Sequence, residues 1–317
     1  MTIARKELVD SHSPGFYHCS TRCVRRAFLC GVNEETGKDY SHRKDWIERR
    51  IKELSTLFSI DIYAYAVMSN HYHIVLYLDP LAPLQWSNDE VAERWLAIYP
   101  SKTDVRRTLR KQAILNSPKT LALYRQRLGS LSWFMSRLNE PLAKLSNQED
   151  DCNGKFWQSR YTSQALLDEG AVLSCMAYVD LNPVRAKITQ KLEESHHTSI
   201  KQRLNDITDD KSLNETLLPV SGSVKQITQN ISNRDYINLV EWAGKAIVHP
   251  NKASIPKEAQ SVLERLNLQS NHWLTQLQSL ESRYCRVIGP VEFIRQRAKK
   301  LYRRCLHGIS SAKLLYS

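Results

Sequence analysis

Residues 60–78 read IDIYAYAVMSNHYHIVLYL, and this stretch decides the fold. Its first half, IDIYAYAVM, alternates with the two-residue period of a β-strand. Its second half, HYHIVLYL, is rich in β-branched and aromatic residues and starts after Ser69-Asn70, a residue pair typical of turns. The stretch therefore predicts two consecutive strands joined by a short turn.

Strand and helix patterns surround these two strands. The first of them, FYHCSTRCVRRAFLCG (residues 16–31), predicts an extended segment. Amphipathic patterns predict helices over residues 43–58, 89–99, 104–128 and 131–145. Residues 154–167, GKFWQSRYTSQALL, predict a return to the sheet, and residues 168–182, DEGAVLSCMAYVDLN, predict a helix that Pro183 ends.

The last third of the chain has a different character. Residues 195–234 are polar and predict a linker or a loosely packed segment. Helical patterns follow over residues 236–248, 256–266, 272–283 and 290–306. We predict an α+β fold in which helices cover one face of an antiparallel sheet, with an all-helical C-terminal extension. The predicted divisions are a catalytic domain over 1–194, the polar segment over 195–234 and a basic helical domain over 235–317.

The charge balance points to a polyanionic partner. The 317 residues include 45 Lys and Arg against 33 Asp and Glu, a formal net charge of +12. Residues 102–127 and residues 283–304 each carry eight basic residues and one acidic residue. Such concentration favours nucleic acid, because neutralised phosphates release condensed counterions. No run approaches the roughly 18 apolar residues of a membrane span, and the N-terminus has no apolar signal sequence.

His71 and His73 form an HxH pattern at the start of a predicted strand. Because side chains alternate across a strand, both imidazoles project to one face while Tyr72 projects to the other. Two imidazoles in this arrangement can chelate one divalent cation. The same pattern also occurs where histidines only pack in a core or form hydrogen bonds, and both interpretations stay open at this point.

Tyr178 and Asn182 lie four residues apart on the predicted helix that ends at Pro183. This spacing puts them on one face, one turn apart. A phenol there can act as a nucleophile, and an amide oxygen can bind a cation. The ordinary alternative is that Tyr178 packs in the core and Asn182 is a helix-stop residue.

Taken together, SNHYHIVLY, FWQSR and MAYVDLNPVRA resemble the motifs of HUH single-strand endonucleases. More narrowly, residues 14–188 are similar to the REP-associated tyrosine transposases and to related transposases of bacterial insertion sequences. The residue between the family's histidines is bulky and apolar, whereas Tyr72 is aromatic. The core motifs of the family do not explain residues 195–317.

The resemblance implies a ferredoxin-like HUH domain and a set of roles. His71 and His73 would hold Mg²⁺ or Mn²⁺, with Asn182 as the third protein ligand. Tyr178 would attack the scissile phosphate, release a 3′-hydroxyl and form a 5′-phosphotyrosine link. Arg160 or Arg185 would assist the phenol.

We expect the substrate to be single-stranded or hairpin DNA. Aromatic and basic side chains would stack bases and pair with phosphates, and basic helices would grip a hairpin stem. The predicted DNA-binding residues are Tyr17, Arg22, Trp157, Arg160, Arg185, Arg106, Arg107, Arg110, Lys111, Arg295, Arg297, Lys299 and Lys300. His18 is expected to be a structural or DNA-contact histidine rather than a ligand.

Further expectations are a monomer or homodimer in the bacterial cytoplasm, bound to the nucleoid through DNA, with no membrane partner and no nucleotide cofactor. Two other functions remain open. One is a catalytically silent DNA- or RNA-binding regulator on the same fold. The other is a metal-dependent hydrolase in which the histidines activate water and Tyr178 only packs.

Overall fold

A computed structural model gives the architecture of the chain. The structure describes residues 9–24, 30–32, 37–224, 231–249, 254–277, 280 and 286–316. The parts of the predicted segments 16–31 and 272–283 that fall in the gaps lie outside the described residues, as does Arg283.

A six-stranded sheet forms the centre of the fold. Its strands are β1 (Gly15–Arg22), β2 (Ile60–Val67), β3 (His71–Leu78), β4 (Thr162–Leu166), β5 (Ser221–Gly222) and β6 (Val287–Ile288). Their order in the sheet is β5-β2-β3-β1-β4-β6. Neighbours pair antiparallel except β4 and β6, which pair parallel. The predicted hairpin is β2–β3, and its two strands pair along nearly their whole length.

The helices fill the connections between these strands. The described helices of the first half are α1 (His42–Leu57), α2 (Asn88–Ile98), α3 (Asp104–Leu115), α4 (Pro118–Leu128), α5 (Leu131–Glu149), α6 (Glu169–Asp180) and α7 (Asn182–Arg185). Those of the second half are α8 (Ser199–Asp206), α9 (Asp210–Asn214), α10 (Asn233–Val248), α11 (Lys257–Arg265), α12 (Ser270–Leu277), α13 (Val291–Lys300) and α14 (Ile309–Leu315).

Helices cover both faces of the sheet, so the prediction of a single covered face was wrong. Alternate residues of β3 enter two different cores. Tyr72, Ile74 and Leu76 pack with α1, α2 and α5 on one face. Val75 and Tyr77 pack with α6 and the C-terminal helices on the other. The α+β class with a helical C-terminal region is confirmed, and the sheet is buried on both sides.

The C-terminal region also contributes strands, which corrects the prediction of an all-helical extension. β5 pairs with β2 at one edge of the sheet, and β6 pairs with β4 at the other. Two-residue strands carry almost no period-2 signal, which is why the sequence pattern missed them.

The stretch predicted as a polar linker contains ordered elements where the structure describes it. It holds α8, α9 and β5, with Ile200 and Leu217 in the same core cluster as α6. Ser199 and Gln202 of this stretch bond to Tyr65 of the first half, whereas residues 208–211 are exposed, so its polarity serves internal hydrogen bonding as well as contact with solvent. The division into domains stays a prediction, although one continuous core joins the two halves.

Candidate active site

One face of the sheet brings several polar side chains together beneath helix α6. In the strand register, His18 of β1 is opposite Gln164 of β4, and Ser20 of β1 is opposite His73 of β3. Side chains that alternate in step on adjacent strands share a face. His18, Gln164, His71 and His73 therefore project to the same side, the side that α6 covers.

A chain of hydrogen bonds links Gln164, His18 and His73, and the orientation of the Gln164 amide sets which ring nitrogens carry the protons. His18 Nδ1 lies 2.7 Å from Gln164 Oε1, and His18 Nε2 lies 3.0 Å from His73 Nδ1. With the amide oriented so that its oxygen faces the ring, His18 donates through Nδ1 and accepts at Nε2. His73 then donates through Nδ1, which leaves the lone pair on its Nε2.

His71 has the same tautomer for a local reason. Its Nδ1 is hydrogen-bonded to Asn70 Oδ1, the residue just before it in the turn. The His71 and His73 rings are 4.9 Å apart between centroids. Metal-binding imidazoles commonly have one ring nitrogen held by a neighbour in this way, while the other nitrogen binds the ion.

Burial keeps His73 neutral. The side chain is 2% exposed, and its burial, together with the nearby His18, His71, Arg185 and Arg22, lowers the pKa of His73 well below its ordinary value. A neutral imidazole is the form that binds a cation.

Helix α6 carries Tyr178 onto this face. Asp168 caps its N-terminus by accepting a hydrogen bond from the backbone N–H of Ala171 at 3.0 Å. Residues 170–180 are all buried, which is typical of a helix enclosed between two layers. The Tyr178 ring lies 5.9 Å from the His73 ring and 6.0 Å from the His18 ring, centroid to centroid.

Two polar residues complete the site after α6 ends. The Arg185 guanidinium carbon is 4.1 Å from the centre of the Tyr178 ring. Arg185 Nη1 also donates to Asn182 Oδ1 at 3.2 Å, while Asn182 Nδ2 is buried without a hydrogen-bond partner. The residue types thus fit a divalent cation in donor chemistry: two imidazoles in the required tautomer and an amide oxygen that keeps a second lone pair.

Other groupings of metal-binding side chains are absent from the described part of the chain. No cluster of three or more His, Cys, Asp or Glu residues is arranged there to hold a metal ion. A cation at this site would therefore depend on Asn182 or on groups from a substrate for its third ligand. The roles of His71, His73, Asn182 and Tyr178 remain predictions.

The predicted DNA-contacting residues near the sheet fall into different surroundings. Tyr17 is 3% exposed, and its hydroxyl accepts a hydrogen bond from the Asp10 N–H, so its ring presents no face on which a base could stack. Arg22 is exposed at the end of β1, opposite His71. Trp157 is half-buried and Arg160 is exposed. Of the two arginines proposed to assist Tyr178, Arg185 is the one against its ring, whereas Arg160 lines a pocket beside α5.

The basic segment 102–127 is largely engaged within the protein. Arg107 and Lys111 form ion pairs with Glu93 of α2, and Lys111 also pairs with Asp89 at 2.7 Å. Arg110 donates to Tyr99 O and Ser101 Oγ, both at 2.8 Å. Counting charge along 102–127 misses the acids of α2 that face it. Arg106 is exposed and keeps its potential for a phosphate contact.

The second basic segment is more open. Arg295, Lys299 and Lys300 are exposed on α13. Arg297 is partly covered, and its Nη1 is 3.8 Å from Asp10 Oδ2. The DNA-binding role predicted for these residues stays a prediction.

Sequence reasoning named His18 as a structural or DNA-contact histidine without placing it beside His73, and it missed Gln164. The strand pattern of residues 16–20 puts His18 on a face with Phe16 and Ser20, but the pattern does not say which strands lie alongside. His18 contacts His73 only because β1 lies between β3 and β4. That order is a long-range property of the fold.

Comparison with known proteins adds little to this geometry. No protein-family model matches the chain, and no curated protein matches it in sequence. A solved structure of a REP-associated tyrosine transposase bound to a REP hairpin aligns over 73% of this chain and 99% of its own, with 11% sequence identity and a TM-score of 0.35. At that TM-score the site must be argued from its own residues.

Among the described helices, none is long and apolar enough to cross a membrane.

Proposed function

We propose that this protein is a metal-dependent transposase that cleaves and rejoins single-stranded DNA at hairpin-flanked, REP-like sites. The observation that carries the proposal is that the Tyr178 ring lies 5.9 Å from the ring of His73, one of the two candidate metal ligands, in the same chain. The second imidazole near Tyr178, at 6.0 Å, is that of His18, which is hydrogen-bonded to His73. A tyrosine beside a metal-competent histidine pair and an arginine has the parts needed for nucleophilic attack on a phosphodiester.

The reaction uses the phenol oxygen of Tyr178. That oxygen loses its proton and bonds to the scissile phosphorus, while the bond from phosphorus to the 3′ oxygen breaks. The departing oxygen takes up a proton and becomes a 3′-hydroxyl. The DNA 5′ end stays linked to Tyr178, and a second 3′-hydroxyl can reverse the step with no nucleotide triphosphate.

Arg185 supports this chemistry by its position against the Tyr178 ring. Its guanidinium, 4.1 Å from the ring centre, lies where it favours a developing phenolate and an incoming phosphate. The interaction costs little reorganisation, because Asn182 Oδ1 already orients Arg185.

His71 and His73 would hold Mg²⁺ or Mn²⁺ through Nε2, with Asn182 Oδ1 as the third protein ligand. A bound cation there supplies a Lewis acid for a non-bridging phosphate oxygen. The chain's own contribution is to fix both tautomers, through Asn70 for His71 and through His18 and Gln164 for His73.

The test is cleavage of an end-labelled hairpin DNA with a single-stranded flank, with Mg²⁺ or Mn²⁺, followed on a denaturing gel. Wild type should give a nicked product and a protein-linked strand. Tyr178→Phe should lose both by a factor of about 10³ or more while still binding the hairpin. Tyr77→Phe, on the same sheet face, is the matched control and should cleave normally.

A second candidate function has one observation in its favour. Tyr178 is 4% exposed, and Asn182 Oδ1 is engaged by Arg185. A buried Tyr178 side chain and an Asn182 oxygen already bound by Arg185 suit a DNA- or RNA-binding regulator that does not cleave. That function is the correct one if wild type and Tyr178→Phe bind the hairpin equally and neither nicks it. Cleavage that persists in Tyr178→Phe without a protein-linked strand would instead indicate a metal-dependent hydrolase.

A further inference from the structure

A pocket of about 430 Å³ lies beside helix α5, on the face of the sheet that does not carry Tyr178. Its lining combines the α5 residues Ser132, Met135, Ser136, Asn139 and Glu140 with Lys155, Trp157, Ser159, Arg160 and Tyr161. This volume is within the range of pockets that hold small ligands. The cleavage chemistry proposed above uses Arg185 rather than Arg160, so Trp157 and Arg160 of this pocket keep only the DNA-contact role predicted from the sequence.

The aromatic wall of the pocket is held in a fixed orientation. Trp157 Nε1 donates to the backbone carbonyl of Asn139 at 2.9 Å, and the Trp157 ring meets Tyr72 and Phe156 edge-to-face. The ring is still only half-buried, so part of it is open to a ligand. A fixed, partly open indole is a surface on which a flat ring can stack at low entropic cost.

Polar groups around the same pocket can read the edge of such a ring. The hydroxyls of Ser132 and Tyr161 lie 3.2 Å apart, and either can donate. Ser136 Oγ accepts from Arg137 Nη2 at 3.0 Å, which leaves its own hydrogen to donate. Glu140 is neutralised by Arg137 and Lys144, so it does not repel an anionic ligand strongly.

The rim of the pocket is basic and joins the candidate active site. Lys155 and Arg160 are exposed there. The backbone N–H of Gln158 donates to Arg22 O at 2.8 Å, and Arg22 is opposite His71 in the β1–β3 register. The pocket and the imidazoles thus share one end of β1 and β3, on opposite faces of the sheet, so one DNA strand can pass from one to the other around that end.

We propose that this pocket binds a single unstacked nucleobase of the DNA strand whose phosphate lies at the His71–His73–Tyr178 site. The inference rests on the proposed function and extends it, because it makes the pocket the place where the position of cleavage is selected. Trp157 stacks on the base, Arg160 and Lys155 hold the flanking phosphates, and the α5 hydroxyls contact the base edge.

The experiment is an abasic scan of the single-stranded flank of a hairpin DNA, read out as binding affinity. In wild type, removal of the base at one position should weaken binding about 5- to 100-fold, the usual contribution of one stacked base. In Trp157→Leu that position should lose its effect, so that intact and abasic DNA bind alike. Trp157→Phe, which keeps an aromatic ring, should retain part of the preference.

Trp46→Leu is the matched control, a half-buried tryptophan of α1 outside the pocket, and it should keep the wild-type scan. Arg160→Ala, an exposed change that leaves the fold intact, should weaken binding at every scan position to a similar degree.

If Trp157→Leu gives the same abasic scan as wild type while the DNA is bound and cleaved, the base pocket is refuted and the proposed function stands. If wild type binds the hairpin DNA and shows a scan position that depends on Trp157, but cleaves no DNA, the base pocket stands and the proposed cleavage function is refuted. Wild type that binds no DNA would refute both.

Discussion

The two halves of the chain make different contributions to the candidate active site. The first 190 residues carry each side chain with a proposed chemical role. The second half carries none of them, yet it bonds to the helix of Tyr178 at three levels. Tyr316 Oη donates to Asp168 Oδ1 at 2.9 Å at the start of α6, Trp273 Nε1 donates to Ser174 Oγ at 2.8 Å in the middle, and Tyr236 Oη donates to Asp180 Oδ2 at 2.6 Å at the end.

The comparison shows that the first half supplies the side chains of the candidate site, whereas the second half holds the helix that carries Tyr178 in place. Tyr178 of α6 faces the imidazoles, while Ser174, one turn before it, and Asp180, two residues after it, bind Trp273 and Tyr236 of the second half. Gly170 shows how close the contact is, because a Cβ there would lie 3.3 Å from Leu268 Cδ2 and 3.4 Å from Tyr316 Cε1. The C-terminal half is therefore a support for the site rather than an appendix.

The largest expected effect comes from removing the anchor at the end of α6. Asp180 is fully buried and accepts from Tyr236 Oη, from Ser199 Oγ and from the Ile200 N–H at 2.9 Å. Asp180→Ala leaves these buried donors unsatisfied, so it should lower the free energy of unfolding by about 3–5 kcal/mol. Urea denaturation measures the change.

The control for that variant is Asp206→Ala, an exposed aspartate on α8, which should change stability by less than about 0.5 kcal/mol. If Asp180→Ala unfolds at the same urea concentration as wild type, the two halves are not coupled through α6.

An intermediate effect is expected in the middle of α6. Trp273→Phe removes the N–H donated to Ser174 Oγ and should cost about 1–2 kcal/mol. Trp242→Phe is a close control, because Trp242 is also buried and stacks on Trp273 at 5.9 Å, but its Nε1 has no hydrogen-bond partner. Thermal unfolding should therefore show the larger loss for Trp273→Phe, and equal losses would mean that the Ser174 bond contributes nothing.

The smallest effect depends on pH and concerns the contact between α1 and the second half. Burial alone would raise the pKa of Glu48, but hydrogen bonds with His197, Lys52 and Tyr65 outweigh it and lower that pKa to about 2. A carboxyl with a lowered folded-state pKa stabilises the fold above its unfolded value and loses that contribution as the pH falls toward 2. Because Glu48 is only partly buried and its partners are screened by solvent, Glu48→Gln should be less stable than wild type by about 0.5–1 kcal/mol at pH 7.

That difference should shrink between about pH 4.5 and pH 3, where wild-type Glu48 begins to lose its advantage over the unfolded chain. Chemical denaturation of both proteins across this interval measures it. A gap that stays constant with pH would assign the loss to packing rather than to charge. Glu53→Gln, an exposed neighbour on α1, should show little difference at any pH.

Sequence reasoning was most successful where the signal is local. The β2–β3 hairpin, α1, α2 and the helix that ends before Asn182-Pro183 follow from period, turn residues and a proline. The predicted helix over 104–128 is instead two helices, because Ser117 caps α4 and Pro118 begins it. The strand predicted over 154–167 is confined to its last residues, since Trp157 and Arg160 belong to the loop before β4.

The parts that sequence could not give are long-range. His18 and Gln164 join the site through strand order, and the acids that engage Arg107 and Lys111 belong to a neighbouring helix. The polar stretch after residue 195 was predicted as a linker because its serines and charged residues read as solvated. Ser199 is in fact buried, and its Oγ accepts from the Tyr65 N–H at 2.9 Å. Polarity alone does not distinguish solvation from internal hydrogen bonding.

The cover over strand β2 has a consequence for self-association. Along its outer edge, the N–H of Val67 donates to His197 O at 3.0 Å, and the carbonyl of Ile62 accepts from the Val220 N–H at 2.8 Å. Unpaired backbone groups at a sheet edge are templates for aggregation and domain swapping. Residues 197–223 form hydrogen bonds with the edge groups of β2 named above. A chain shortened after residue 194 would expose this edge of β2 and should form soluble aggregates.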